Sequence, residues 1–242
     1  MSRWVFGSTA LNRGCSLARF AVRRGRVPPS RLRALDVAHP FHAVNVTGTG
    51  DGRGVDDRSK LLERMQWYAL RMIEHEFFTH VPAAVAWGLP LPFRADESRD
   101  LDVGVFAPRR NRAGRGVAGH SVKPGLAHVV DHPTLGVRLT SPASTWAMLA
   151  GTLWDVYDVV ALGDAIMREP LHEADASALA TLEQLAAAAS AGRRRGIARL
   201  REALPRIRTR SAPTSPVPSA SWPQAGGSSG SPKMTCSSIP CG

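Results

Sequence analysis

Apolar and polar positions alternate along this chain in three registers. From Lys60 to Phe78, "KLLERMQWYALRMIEHEFF" brings Leu61, Leu62, Met65, Tyr68, Leu70, Met72, Ile73 and Phe77 close to one helical stripe, which predicts a core helix. "HVPAAVAWGLPLP" predicts a second, short helix that starts near Pro82 and stops at Gly88. "DLDVGVF" (100–106) alternates with period two, as a half-buried strand does, and "VAGHSV" reads as its returning partner after the basic turn "APRRNRAGRG". "GLAHVVDHPTLGVRLT" predicts two more short strands around a turn at His132–Pro133. "SPASTWAML" opens a helix with Ser141 as cap and Pro142 in the first turn. "LWDVYDVVALGDAIMRE", "DASALATLEQLAAAAS" and "GIARLREALPRI" read as three further helices, the last with Ile197, Leu200 and Leu204 on one side.

The amino-terminal part has a different pattern. A helix over about Ser16 to Arg24 would bury Leu17, Phe20 and Ala21 and stop at Gly25. Pro28 and Pro29 stiffen the link, and Ser30 caps a second helix over Arg31 to about Val37 that buries Leu32 and Leu35. The alternating "FHAVNV" follows as a β-ribbon. Two short helices, a tight turn and a wing make a winged helix-turn-helix pattern. The fold class expected is therefore α+β. It has a head over 1–58, a mixed α/β domain with a helical carboxyl part over 59–210, and a tail over 211–242.

Charge sharpens this picture. Lys and Arg outnumber Asp and Glu 31 to 20, for a net charge of +11, which favours polyanions and nucleic acid first among them. Residues 1–50 hold eight Arg and a single acid, Asp36. On the second helix, Arg31 and Arg33 project outward, where Arg bonds a guanine edge in bidentate fashion. Arg23, Arg24 and Arg26 suit phosphates, which fix register without reading sequence. Ser30 and His42, the latter on the wing, complete the nucleic-acid-binding set. An arginine-rich solvated surface remains the alternative reading of the same residues.

Other chemistry is scarce. In "HEFFTH", His75 and His80 are five residues apart, about 140° around a helix, and a zinc helix needs two His on one face. "RRNRAGRG" and "GRRRG" (192–196) read as solvated basic connections with a secondary phosphate contact open to them. Ser141 and Thr145 belong to a helix start. The pairs Asp100 with Asp102 and Asp155 with Asp158 lack a Lys or His in catalytic register. There is no nucleophile elbow and no phosphate loop. No enzyme activity, metal or cofactor is expected. Cys15, Cys236 and Cys241 form no disulfide or zinc pattern, and neither a signal peptide nor a membrane span is visible, so the expected location is the cytoplasm.

In order, "RRGRVPPSRLRALDVAHPFHAVNV", "THVPAAVAWGLPLP", "LDVGVFAPRRNRAGRGVAGHSV", "LTSPASTWAMLA", "DVVALGDAIMRE" and "GRRRGIARLREALPRIRTRS" resemble actinobacterial proteins related to the AbiEi-type antitoxins of type IV toxin–antitoxin systems. The resemblance runs from about Leu17 to Ser211. It implies a promoter-binding winged head with Arg31 and Arg33 on the recognition helix and Phe41 to Val46 on the wing. It also implies a middle domain linked to antitoxin action, with a nucleotidyltransferase-like toxin as partner. Longer relatives continue into a domain like the very-short-patch-repair endonucleases. The tail here departs from them: its 32 residues hold nine Ser, six Pro, four Gly and no acid, a composition that predicts disorder. Shifted by one base with one codon choice, "MTCSSIPC" reads Asp-Asp-Val-Phe-Ile-Asp-Pro-Val, so an out-of-frame end is a further expectation. Three functions follow: a non-catalytic DNA-binding antitoxin-like regulator, a truncated remnant of an endonuclease-domain protein, or a protein–protein module that neutralises a toxin.

Overall fold

Val44, Asn45 and Val46 are all buried, so the strand that carries them is covered on both faces and needs partners on both edges. It has them in the computed structural model of the chain. The structure describes residues 15–17, 37–42, 44–47, 57–92, 100–110, 114–153, 155–168 and 177–207, all within one compact unit. Strand β3 (Val44–Thr47) lies between β1 (Cys15–Leu17) and β2 (Val37–Phe41), antiparallel to both, in the order β1-β3-β2. Pro40 falls on the outer strand β2, where the register shifts between Ala38 and Phe41. An edge strand with an irregularity is where a residue lacking an N–H is tolerated.

These strands correct both helix boundaries expected from the sequence. Ser16 and Leu17 are extended and pair with Asn45 and Val44, so no helix begins at Ser16. Val37 pairs with Thr47, so no helix reaches it. The expected single wing strand is a hairpin, because Val37 and Phe41 bury one side of β2 as Val44 and Val46 do for β3. Residues 18–36, with Arg23, Arg24, Arg26, Ser30, Arg31 and Arg33, lie outside the described residues. So does the tail, 211–242.

Helix α1 (Asp57–Ala69) buries Leu61, Met65 and Tyr68, but it ends well before Phe78. Phe77 and Phe78 explain why. Both are wholly buried, and adjacent residues reach opposite sides only on a strand. Glu76–Phe78 is accordingly β4. The turn before it is held by the Glu76 carboxylate, which accepts from the Ile73 amide at 3.1 Å and the Tyr68 hydroxyl at 3.3 Å. Burial, helped by Glu76, pushes the Tyr68 hydroxyl up to about 12. Helix α2 (His80–Ala86) follows, closed by Gly88 at φ +70°.

β4 is the centre of a five-stranded sheet, completed by β5 (Leu101–Phe106), β6 (Val117–Val122), β7 (Val129–Asp131) and β8 (Arg138–Thr140), in the order β6-β5-β4-β8-β7. The antiparallel β7–β8 pair turns at His132–Pro133 as the sequence predicts. The expected return of β6 against β5 is not a hairpin: the two run parallel, Leu101 opposite Val117 and Phe106 opposite Val122. That register lines up apolar residues at both ends. The chain re-enters at the start of β5, where Gly116, at φ +76°, accepts from the Leu101 amide at 2.9 Å.

The helical part packs on α2, which lies against β5, and on itself. Helix α3 (Pro142–Leu149) is capped by Ser141, and α4 (Val156–Ile166) by Asp155. Helix α5 (Leu182–Ser190) opens with a Thr181–Gln184 capping box. Helix α6 (Ile197–Ala203) centres its apolar side on Leu200 and runs into a 3-10 turn, Leu204–Arg206. One continuous apolar core joins Phe41, Val44 and Val46 of the hairpin to Trp146, Leu162, Leu185 and Leu200. The fold is α+β, as expected.

Candidate nucleic-acid interface and a histidine–aspartate cluster

The β2–β3 hairpin is seated firmly on the rest of the molecule. The Phe41 ring meets Tyr68 of α1 edge-on, with ring centres 5.3 Å apart, and lies against Gly116, where an added Cβ would come within 3.4 Å of it. This seating brings the hairpin turn beside the basic connection between β5 and β6. His39, Pro40, Phe41, His42 and Arg115 together line a groove of about 330 Å³. His42, the wing candidate, is exposed there, as is Arg115, whereas the exposed Arg109 and Arg110 lie at the other end of β5, where the Arg109 carbonyl accepts from Ser121. Arg115 of "RRNRAGRG" and His42 of the wing, far apart in the sequence, share one surface. The middle cation of "GRRRG" is otherwise engaged. Arg194 is half-buried and donates to the Leu126 carbonyl at 2.9 Å, while Arg193 and Arg195 stay exposed.

The cap reading of "GVRLTSPASTW" holds. The Ser141 hydroxyl accepts from the Ser144 amide at 3.4 Å, and the Thr145 hydroxyl is buried against Thr140 at 2.7 Å. The structure also gathers residues that the sequence left apart. His80 at the start of α2, Asp102 on β5 and His120 on β6 offer ligand atoms that all lie within 4.8 Å of one another. In the parallel register His120 lies opposite Gly104, two residues along from Asp102 on the same face. His120 Nε2 and Asp102 Oδ1 are 2.7 Å apart. The His80 and His120 rings face each other with centres 4.4 Å apart. Gly104 makes room for the Phe77 ring on that face, and the Thr79 amide bonds the Asp102 carbonyl at 3.1 Å, which fixes where His80 enters. His80 itself has φ +50°, an uncommon conformation for a residue with a Cβ.

His80 Nδ1 is sealed from solvent without a hydrogen-bond partner. Burial first, and the neighbouring His120 second, push the imidazole down to about 4, against the opposite pull of Asp102. The folded value lies below the unfolded one of about 6.5, so between those limits the unfolded chain takes up a proton that the folded chain refuses. Stability should therefore be insensitive to this group above about pH 6.5 and fall by about 3 kcal/mol as pH drops to about 4. Urea unfolding of wild type and His80→Asn across this window checks it, since Asn also tolerates positive φ. A pH slope unchanged in the variant would refute the assignment.

His75 sits in the turn before β4 and shares no helical face with His80. The partners of His80 come from strands with which a helix-spacing test has no connection. A faint signal existed, in that Asp102 and His120 each occupy the polar phase of an alternating run. Pairing them needed the parallel register that a short basic connection disguises. Comparison with known protein families and with curated proteins finds no match.

Proposed function

We propose that this chain is a non-catalytic, cytoplasmic DNA-binding regulator, antitoxin-like in kind, as its resemblance to AbiEi-type antitoxins suggests. On this reading a nucleotidyltransferase-like toxin is its protein partner. The observation that carries the reading is the pairing of Cys15–Leu17 with Val44–Val46. It anchors both ends of the arginine-rich segment 18–36 in one small sheet and sets that segment directly before a β-hairpin. A segment held at both ends beside a β-ribbon is what a winged reading head requires. The exposed His42 and Arg115 beside the hairpin turn extend the cationic surface, where a duplex would meet phosphate contacts. Among the described residues no helix is long and apolar enough to cross a membrane.

Fluorescence anisotropy with duplex DNA from upstream of the protein's own gene, against a scrambled duplex at the same salt, tests this. Wild type should prefer the upstream sequence. Arg31→Ala with Arg33→Ala should cut that preference by roughly tenfold or more, since a bidentate base contact contributes about 1–3 kcal/mol of discrimination. Failure to bind either duplex would overturn the proposal. Equal loss on both duplexes would mean that these two arginines touch only phosphate.

A further inference from the structure

We propose that His80, Asp102 and His120 form a binding site for a divalent transition-metal ion, Zn2+ in the first place. The donor set is two imidazoles and one carboxylate, three protein ligands that leave one coordination position open. It is drawn from three elements that share no local sequence, so it cannot be an accident of helix or strand periodicity. The ligand atoms already lie within 4.8 Å of one another. A tetrahedral ion with bonds of about 2.0–2.2 Å holds its ligand atoms roughly 3.3–3.6 Å apart. Small side-chain rotations cover the difference, and the 2.7 Å contact of His120 with Asp102 would open to let the ion in between.

A second observation points the same way. His80 Nδ1 is buried and has no partner, in a residue held at φ +50°. Buried polar atoms are nearly always paired, and off-region backbone persists where the surroundings impose it. A cation between the three side chains would give the His80 ring, which makes no hydrogen bond, a polar partner. The ion would also clamp β6, an edge strand of the five-stranded sheet, to the start of α2.

The full chain, stripped with a chelator, is titrated with Zn2+ at neutral pH by calorimetry, and with Co2+ by visible absorption. One ion per chain is expected, with Co2+ bands of a low-coordinate site. Asp102→Asn with His120→Gln, both partly exposed positions, should weaken binding at least tenfold and abolish those bands. Cys236→Ser with Cys241→Ser should change neither. At a Zn2+ concentration a hundredfold above Kd, the folded-to-unfolded ratio of wild type should rise about a hundredfold. Paramagnetic NMR of the wild-type Co2+ form gives a readout that needs no variant: two shifted imidazole N–H signals are expected. Absence of binding, binding that survives the Asp102 and His120 changes, or binding lost with the tail cysteines would overturn the proposal.

Discussion

Raising monovalent salt fourfold, from 50 to 200 mM, is expected to weaken binding of the chain to duplex DNA by between about two and three powers of ten. Affinity for DNA comes largely from counterions released when cations neutralise phosphates, with a log–log slope of about −0.9 per phosphate. Arg23, Arg24, Arg26, Arg31 and Arg33 lie in a stretch whose single acid is Asp36, so nothing local cancels them. About five neutralised phosphates give a slope near −4.5. If Arg115 contributes from beside the hairpin turn, Arg115→Ala should flatten the slope by about one unit. Anisotropy titrations at four salt concentrations measure both. An affinity independent of salt would contradict the arginine account altogether, whatever its absolute value.

The largest stability effect is expected at Trp146. It is fully buried in α3, and its indole N–H donates to the Val159 carbonyl of α4 at 2.8 Å. Gly163 of α4 lies beside the indole and leaves room for the Ile207 side chain, which an added Cβ would overlap. Trp146→Ala should therefore cost about 4 kcal/mol, the transfer free energy of the indole plus the cavity it leaves. That is a large share of the 5–15 kcal/mol or so by which domains are stable. Trp146→Phe keeps most of the volume and loses the hydrogen bond, and should cost about half as much. Urea midpoints with unchanged m-values give these numbers. A cost for the alanine variant below about 1 kcal/mol would mean that α3 and α4 are not joined through this side chain.

Much of the helical layer was legible because its signals are local. Ser141–Pro142 is a start signal that works over one turn, α5 is announced mostly by its alanines, and Leu200 declares its face by spacing. The β-rich half was harder. "HEFF" continues the apolar stripe of α1, and only the need to bury Phe77 and Phe78 on opposite sides makes it a strand. Cys15–Leu17 is extended because β3 needs a second edge partner, a demand that arises from residues thirty positions away. The basic connection 107–116 looks like a hairpin turn, yet it returns the chain for a parallel pair. The same long-range pairing hid His80, Asp102 and His120 from each other, since no short window contains any two of them. In the amino-terminal part the alternation of "FHAVNV" marks β3 alone, and Ser16–Leu17 and Val37, expected at helix ends, are strand.

Amide hydrogen exchange of the full chain, with and without duplex DNA from upstream of its gene, tests the central claim most directly. The account predicts DNA-dependent protection concentrated in residues 18–47, with a weaker second patch around Arg115. Saturating DNA that leaves 18–47 as exchangeable as in the free chain, while protecting amides elsewhere, would contradict it.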